Sequence, residues 1–431
     1  MKKNLAAGLI VLSIVSVISG RLYGATTMQD KIRDFTKKIE PKLIAIRQDL
    51  HAHPELGLKE KRTSALVADH LRRLGFEVRT GIAVTGVLGI LKGGKPGPIV
   101  AMRADMDALP ITEETGLAFA SKDRTTMDGR EVGLMHACGH DIHTAVLLGV
   151  AEVLAGMKDD LAGTILFIAQ PGEECCAGAN RMIEDGAFKD YRPEAFFAFH
   201  VDDTLKTGKI GYTSGFSTAN VDGFSLVIKS EGGHGANPWL CVDPIVVGAR
   251  IVLDLQVMLA REIDVNHNAV ITVGKFHAGT AENIIPRTAQ LNATVRNYGE
   301  EQRQLLKDKI SRLIAGTCAA AGAAYDLNYY FGTPSRYNDP KLLDEILTTA
   351  GRVLGSPAAL VEQLPEMGGE DFSYFSKIAP AVMLNLGIVP ANLERTAVHS
   401  PTFVADEAGI AVGVELMANI IGDYLSRRAG K

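Results

Sequence analysis

The strongest constraint on the fold is an alternation of apolar strands and helices in the first half of the chain. The alternating elements are, in order, a helix at Thr144–Leu154, a strand at Gly163–Gln170, a helix at Ala179–Asp185 and a strand at Ala195–His200. Strands that are apolar on both sides and separated by helices usually pair in parallel, with helices covering the sheet. The sequence therefore predicts an α/β fold, with a mostly parallel sheet and helices on both faces.

The order of elements changes near Ser214. The next six elements follow the order β-α-β-β-α-β, which is typical of a small ferredoxin-like sandwich. They are Asp222–Lys229, Val242–Ala260, Ala269–Phe276, Ala289–Arg296, Glu300–Ala321 and Ala324–Tyr330. Helices and buried strands resume after about Tyr337. We therefore predict a main domain of residues 28–214 and 333–431, interrupted by an inserted α+β domain of residues 215–332.

Length and charge agree with two globular domains. The 431 residues include 45 Lys and Arg against 50 Asp and Glu, a net charge of −5, and 46% are hydrophobic. This composition excludes a disordered, collagenous or coiled-coil chain and gives no basic surface for nucleic acid. Five cysteines are too few for a disulfide scaffold, so each thiol needs its own explanation.

The first residues have the pattern of an export signal. Lys2 and Lys3 precede an apolar run from Leu5 to Ile18, and small and polar residues follow up to Ala25. The run is shorter than the roughly 20 residues that span a bilayer, so residues 1–25 are predicted to be a cleaved signal peptide. An uncleaved anchor is the alternative. With no other segment expected to span a membrane, the protein is predicted to be exported, either periplasmic or secreted.

Residues that bind metals gather near the ends of the predicted strands. His136-Ala137-Cys138-Gly139-His140-Asp141-Ile142-His143 precedes the helix expected from Thr144, and Glu173-Glu174 follows a buried strand. His200 ends the next strand, and His399 lies in the C-terminal segment. Thiolate, imidazole and carboxylate are ligands of divalent transition metals, and a helix N-terminus favours an ionised Cys138. Strand ends line the ligand crevice of open α/β sheets, so these groups are expected to meet there.

Taken singly, these residues have ordinary structural explanations. A strand-end histidine is more often a packing residue than a ligand, Cys138 alone fits a small buried hydrophobe, and a Glu-Glu pair usually faces solvent. The set is harder to assign to packing, because three histidines and a cysteine fall within eight residues of a chain that has 11 His and 5 Cys.

Seven motifs, in this order, resemble the metal-dependent amidohydrolase branch of the aminoacylase/carboxypeptidase family of zinc metallopeptidases, which includes hippurate hydrolase, N-acyl-amino-acid amidohydrolases and auxin–amino-acid conjugate hydrolases. They are Met102-Arg103-Ala104-Asp105-Met106-Asp107-Ala108-Leu109-Pro110, His136-Ala137-Cys138-Gly139-His140-Asp141, Gln170-Pro171-Gly172-Glu173-Glu174, Gly232-Gly233-His234-Gly235-Ala236, Asn283-Ile284-Ile285-Pro286, Gly368-Gly369-Glu370-Asp371-Phe372 and His399-Ser400-Pro401. The resemblance implies a zinc-exopeptidase-like catalytic domain and an inserted domain that acts as lid and dimerisation domain of a homodimer.

The resemblance also implies roles for individual residues. Two divalent metal ions, Zn or Mn foremost and Co or Ni as alternatives, would activate water for attack on an amide, with Glu173 as general base. The implied metal ligands are Cys138, His140, Glu174, His200 and His399. His234 of the lid would stabilise the oxyanion, and Asn283 and Arg296 would hold the substrate carboxylate. Asp107, Asp141 and His143 are expected to support the ligands from behind.

Several positions depart from the family pattern. Cys175 and Cys176 stand where small residues are usual, and two buried thiols are the simplest expectation, with oxidation as the alternative in an oxidising compartment. Ile142 replaces a glycine, and Trp239 replaces a histidine of the lid. These changes are expected to alter the substrate pocket.

Three functions fit these features. The first is an exported amidohydrolase that cleaves N-acyl amino acids or amino-acid conjugates. The second is a carboxypeptidase or dipeptidase with the same chemistry, because both substrates present an amide near a free carboxylate. The third is a non-catalytic metal- or peptide-binding protein, which the presence of every ligand together with Glu173 disfavours.

Overall fold

The computed structural model describes residues 27–430, so the predicted signal peptide lies outside the described residues. The described part contains eighteen strands. They are β1 Glu77–Ile82, β2 Gly86–Lys92, β3 Lys95–Asp105, β4 Arg124–Met127, β5 Arg130–Gly133, β6 Ala162–Gln170, β7 Ala195–Lys206, β8 Ile210–Tyr212, β9 Gly215–Phe216, β10 Asn220–Lys229, β11 Gly233–His234, β12 Ala269–Ala278, β13 Ile284–Ile285, β14 Thr288–Asn297, β15 Ala324–Tyr330, β16 Tyr337–Asn338, β17 Leu360–Glu362 and β18 Ala381–Val389.

Nine α-helices connect these strands within residues 27–430. They are α1 Met28–Ala52, α2 Lys61–Arg73, α3 His140–Ala155, α4 Glu173–Cys176, α5 Gly178–Glu184, α6 Pro244–Glu262, α7 Glu300–Ala321, α8 Pro340–Leu354 and α9 Ala408–Arg427.

The main sheet has eight strands in the order β1-β2-β6-β3-β7-β18-β8-β17. Its centre, β6-β3-β7-β18, is parallel, and antiparallel pairs lie toward both edges. The carboxyl ends of the central strands therefore meet at one edge of the sheet, where Asp105 of β3 pairs with Gln170 of β6. The predicted α/β fold with a mostly parallel centre is confirmed.

Two apolar layers enclose this sheet because successive side chains of its strands point to opposite faces. Val100 and Met102 pack with α1, α3, α8 and α9, whereas Ala101 packs with α5 and with Phe375 of the 3₁₀ turn Asp371–Lys377.

Helix α9 alone among the described helices has the length and apolar composition of a membrane span. Most of it is buried in the apolar layer that contains Val100 and Met102.

A second sheet of four antiparallel strands, in the order β12-β14-β10-β15, packs against α6 and α7. Phe224 and Leu291 of the sheet share a core with Ile251 of α6 and Ile310 of α7. This strand order is ferredoxin-like, and the elements match the predicted β-α-β-β-α-β series. The two connections to the main sheet run side by side, since β9 pairs with β16.

Helix α3 begins earlier than expected, at His140 and not near Thr144. Gly139 adopts a left-handed φ of 77°, which turns the chain directly into the helix. As a result, His140, Asp141 and His143 lie in the first turn, where they are buried against the sheet.

We expect Gly139→Ala to destabilise the protein strongly. A left-handed alanine costs about 1 kcal/mol or more, and the added Cβ would lie 2.6 Å from Cγ2 of Val201, which adds about 1–3 kcal/mol of overpacking. Gly116→Ala is the matched control, because Gly116 has φ 72° and no heavy atom within 4 Å of its Cβ position. Chemical denaturation of both variants measures the difference, and equal losses would contradict the steric explanation.

Candidate metal centre

The five candidate ligands come from four segments that meet at the carboxyl edge of the main sheet. Cys138 precedes α3, His140 begins it, and Glu173 and Glu174 begin α4 directly after β6. His200 lies inside β7, which continues to Lys206 and so does not end at His200 as predicted. His399 follows β18 in a left-handed conformation with φ 60°, held by a hydrogen bond from its N–H to the carbonyl of Ala137.

Cys138 is at the centre of the cluster. Its Sγ lies 3.5 Å from Nε2 of His200 and 3.3 Å from Nε2 of His399. Nε2 of His399 is also 3.2 Å from Oε1 of Glu174. Burial raises the pKa of the Cys138 thiol well above its usual range, although the charge of His140 acts to lower it.

His140 has one ring nitrogen anchored and the other free. Nδ1 lies 2.8 Å from the carbonyl oxygen of Asp107, which fixes the ring. Nε2 is buried without a hydrogen-bond partner among the described residues and lies 3.9 Å from Oε1 of Glu174. Buried polar atoms are rarely left unpaired, so an unpaired imidazole nitrogen that faces a carboxylate oxygen fits a site for a cation.

Three overlapping groups of ligand atoms surround this point. Within each group, the atoms lie within 4.8 Å of one another. The groups are Cys138/His140/His200, Cys138/Glu174/His399 and His140/Glu173/Glu174. The structure thus brings all five predicted ligands together with Glu173, and thiolate, imidazole and carboxylate suit divalent transition metals.

Glu173 lies between the ligands and a second acidic cluster. Its Oε1 accepts a hydrogen bond of 3.3 Å from the N–H of Asp371, and Glu370 lies nearby. Burial, together with the charges of Glu370 and Asp371, raises the pKa of Glu173 well above its usual range.

A buried arginine, which sequence reasoning missed, pairs with this acidic cluster and with Asp105 of β3. Arg103 of β3 is fully buried and contacts Asp105 at 2.7 Å, Glu370 at 2.9 Å and Asp371 at 3.1 Å. Two of the family motifs contain these residues, but sequence spacing alone cannot show that residues 103 and 370 meet.

Two of the three predicted supporting residues make different contacts from those expected. Asp107 does support the ligands, since it also accepts the N–H of Glu174 at 2.9 Å. Asp141 instead pairs with Arg47 and His51, each at 2.8 Å. Nδ1 of His143 lies 2.6 Å from Asp105, and its Nε2 accepts the N–H of Val201 at 2.9 Å. Neither ring nitrogen therefore bonds a candidate ligand, although the ring packs against His140 and His200.

An open cleft of about 480 Å³ adjoins the cluster. It is lined by Cys138, Glu173, Glu174, His200 and His399, and also by Arg336, which sequence reasoning missed.

The three predicted lid residues lie apart from this cleft or at its wall. His234 and Asn283 do not line the cleft; they lie at the exposed ribbon β11–β13, where the N–H of Gly235 donates a hydrogen bond to the carbonyl of Asn283. Arg296 is half-buried, and its Nη1 lies 3.7 Å from the Cβ position of Gly369, a residue of the cleft wall.

Cys175 and Cys176 form a disulfide, so the expectation of two buried thiols is wrong. Cys175 is exposed and Cys176 is half-buried. The bridge closes the short helix α4 that carries Glu173 and Glu174, between left-handed Gly172 and Ala177.

Comparisons with known proteins agree on one family. Residues 101–423 match the model of peptidase family M20/M25/M40. The chain is 37% identical to thermostable carboxypeptidase 1 of Saccharolobus solfataricus over 89% of this chain and 95% of that protein. It is 37% identical to the N-acetylcysteine deacetylase of Bacillus subtilis, covering 89% of this chain and 97% of that protein. A solved Bacillus subtilis structure, described as a dinuclear metal binding peptidase, superposes with a TM-score of 0.78 at 34% identity over 90% of this chain and 99% of that one.

The environment of His51 predicts a pH-dependent stability. Burial acts to lower the pKa of His51, but hydrogen bonds with Asp141 and Glu113 outweigh it and raise the pKa to about 8. Since protonation favours the folded state, this stabilisation of about 2 kcal/mol is complete below pH 6.5 and lost as the pH rises through 8.

We therefore expect His51→Asn to flatten the pH dependence of the free energy of unfolding between pH 6.5 and 8. The half-exposed His53, substituted in the same way, is the control and should keep the wild-type profile. Denaturation at a series of pH values measures the effect. An unchanged slope in His51→Asn would refute the assignment.

Proposed function

The chain belongs to peptidase family M20/M25/M40 and is a metal-dependent hydrolase, and from that premise we propose that it cleaves the amide bond of N-acyl amino acids or amino-acid conjugates. The observation that carries the proposal is the position of Glu173, a half-buried carboxylate beside five candidate metal ligands, four of which line the same cleft. Such a carboxylate is suited to moving a proton beside bound cations.

The residues present fit two divalent ions. Cys138, His140 and His200 offer one group of donors, and Cys138, Glu174 and His399 offer a second that shares the thiolate. When bound, the metals would lower the pKa of water and polarise the substrate carbonyl. Zn or Mn is the proposed metal, with Co or Ni as alternatives, since one thiolate among imidazoles and carboxylates suits any of these.

Glu173 is proposed to take the proton of the attacking water and deliver it to the leaving amine. Its surroundings support both steps, because Glu370 and Asp371 favour its protonated form, while His140 favours its ionised form. A carboxylate with a raised pKa holds a proton more readily than an ordinary surface glutamate, which suits a group that must accept a proton and then release it.

The inserted sheet is proposed to act as a lid that works across a homodimer. Helix α6 buries one side in the sheet core but exposes Val246 by 63%, Leu253 by 68% and Val257 by 59% along its other side. Trp239 and Leu240, near the ribbon that carries His234 and Asn283, are also exposed by 76% and 74%. An apolar surface of this kind is typical of a subunit interface, and a partner's His234 and Asn283 would then complete the cleft.

Export is proposed on two grounds. Lys2 and Lys3 precede an apolar run in the sequence, as in a signal peptide. The Cys175–Cys176 disulfide is expected in an oxidising compartment and is rare in a reducing one. The proposed location is the periplasm or the extracellular medium.

We expect Glu173→Gln to lower kcat on N-acetyl and N-benzoyl amino acids by roughly 10²- to 10⁴-fold, because it removes the proton acceptor. Its metal content should stay at the wild-type level. Glu174→Gln is the matched control, since it is isosteric and adjacent but should lose metal as well as activity. Steady-state kinetics and elemental analysis measure both effects, and full activity in Glu173→Gln would disprove its role as general base.

Parallel assays on dipeptides test the alternative function, a carboxypeptidase or dipeptidase, which the name of one relative favours.

A lid that works across the dimer predicts complementation. Subunits with His234→Ala retain Glu173, and subunits with Glu173→Gln retain His234. Mixed dimers should therefore contain one complete site each. Random reassociation of equal amounts should restore about a quarter of the wild-type rate. Each variant mixed with itself is the control, and no recovery in confirmed mixed dimers would exclude action in trans.

A further inference from the structure

Arg336 lies beneath the candidate cleft at a junction of three segments. Its carbonyl accepts the N–H of Ser217 at 3.0 Å, and its own N–H donates to Oγ1 of Thr218. The adjoining backbone pairs in turn with the segment before Glu370, through Glu366 and Gly368. Arg336 is only 5% exposed, and that remaining surface lines the cleft.

The guanidinium of Arg336 has poor partners for a buried cation. Nε donates to Oγ of Ser217 at 2.7 Å, and Nη1 contacts the weakly accepting sulfur of Met383. Within residues 27–430, no salt bridge to a carboxylate within 4.0 Å involves Arg336. Burying an unpaired charge is costly, so such a group needs an explanation.

The other buried arginines show what is usual in this protein. Arg47 pairs with Asp141 and Glu407, Arg103 with three carboxylates, and Arg303 with Asp222 at 2.5 Å. Among the buried arginines of the described chain, Arg336 is therefore the one without a carboxylate partner. It is also the one that lines the cleft.

Arg296 is a second guanidinium near the same wall. Its Nε donates to Oγ1 of Thr294, and within residues 27–430 it too has no carboxylate partner. Its Nη1 approaches the Cβ position of Gly369, next to Gly368 and Glu370. A substrate with one carboxylate can neutralise one of these two groups, whereas a substrate with two carboxylates can neutralise both.

We propose that Arg336 binds a second carboxylate of the substrate, so that the preferred substrates are acyl amino acids with two carboxylates. This inference rests on the proposed function and on Arg296 as the group that holds the α-carboxylate. The planar guanidinium is suited to a bidentate pair with a carboxylate. The second carboxylate belongs either to an acidic amino-acid side chain or to a dicarboxylic acyl group.

Glu370 and Glu366, two acids that line the cleft, act on Arg336 by their charge and offer an alternative explanation for it. Oε1 of Glu370, however, already accepts hydrogen bonds from Arg103 at 2.9 Å and from the N–H of Phe372 at 2.8 Å. If Arg336 served only to balance these acids, its removal would affect all substrates alike. The experiment below separates these two roles.

Kinetics on three substrates tests the proposal. N-acetylglutamate and N-succinylleucine carry the second carboxylate on opposite sides of the amide, and N-acetylleucine lacks it. In Arg336→Met, the ratio of kcat/KM for the better diacid to that for N-acetylleucine should fall roughly 10- to 100-fold. The affected diacid identifies the side of the amide that Arg336 contacts. Arg336→Lys, which keeps the charge without the fork, should retain part of the preference and guards against misfolding of the methionine variant.

Arg395→Met is the matched control. Arg395 lines the same cleft, but its side chain is 56% exposed and pairs with Asp203 at 3.1 Å, so the diacid preference should survive its loss. An unchanged ratio in Arg336→Met, or an equal loss on all three substrates, would overturn the proposal while leaving amide hydrolysis intact.

Equilibrium binding tests the carboxylate site at Arg336 independently of the proposed amide hydrolysis. The calorimetric affinity of N-acetylglutamate and N-succinylleucine is measured for Glu173→Gln with and without Arg336→Met. A 10-fold or greater weakening for either compound supports the carboxylate site even if no turnover is found in the wild type. Unchanged affinity for both compounds refutes it.

Discussion

The ion pairs of Arg103 hold the candidate site together. This fully buried side chain on β3 contacts Asp105 on one side and Glu370 and Asp371 on the other. Asp105 in turn fixes His143 behind the candidate ligands, while the N–H of Asp371 reaches Glu173. Removing a partner from such a buried network leaves uncompensated charge and costs several kcal/mol. The position of Glu173 relative to the candidate ligands thus depends on Arg103, which is not itself one of those ligands.

Much of the architecture was predictable because its signals are local. The spacing of apolar residues and the length of each apolar run identify the strands of both sheets. Parallel pairing at the centre of the main sheet then brings Cys138, His200 and Glu174 toward one edge. The meeting of the four segments that carry the candidate ligands therefore follows from sequence order and from the rule that strand ends meet. The same rule does not say which buried polar groups pair with one another across the core.

The errors concern features that only tertiary contacts decide. The helix start moved from Thr144 to His140 because Gly139 takes a left-handed turn under Val201. Asp141 was expected beside the ligands, but it pairs instead with Arg47 and His51 of helix α1, which lie ninety or more positions earlier in the sequence. Arg336 belongs to none of the sequence motifs. The proposed role of Arg336 depends on two tertiary features, namely its position in the cleft and the lack of a carboxylate within salt-bridge distance among the described residues.

The disulfide beside Glu174 has a practical consequence for handling the enzyme. Thiol reductants used in purification would open the Cys175–Cys176 bridge and release two thiols next to the candidate ligands, and thiolates are themselves strong ligands for zinc. The same reductants chelate metals in solution. Metal stoichiometry measured in their presence would therefore describe a different covalent form of the protein from the disulfide-bonded one.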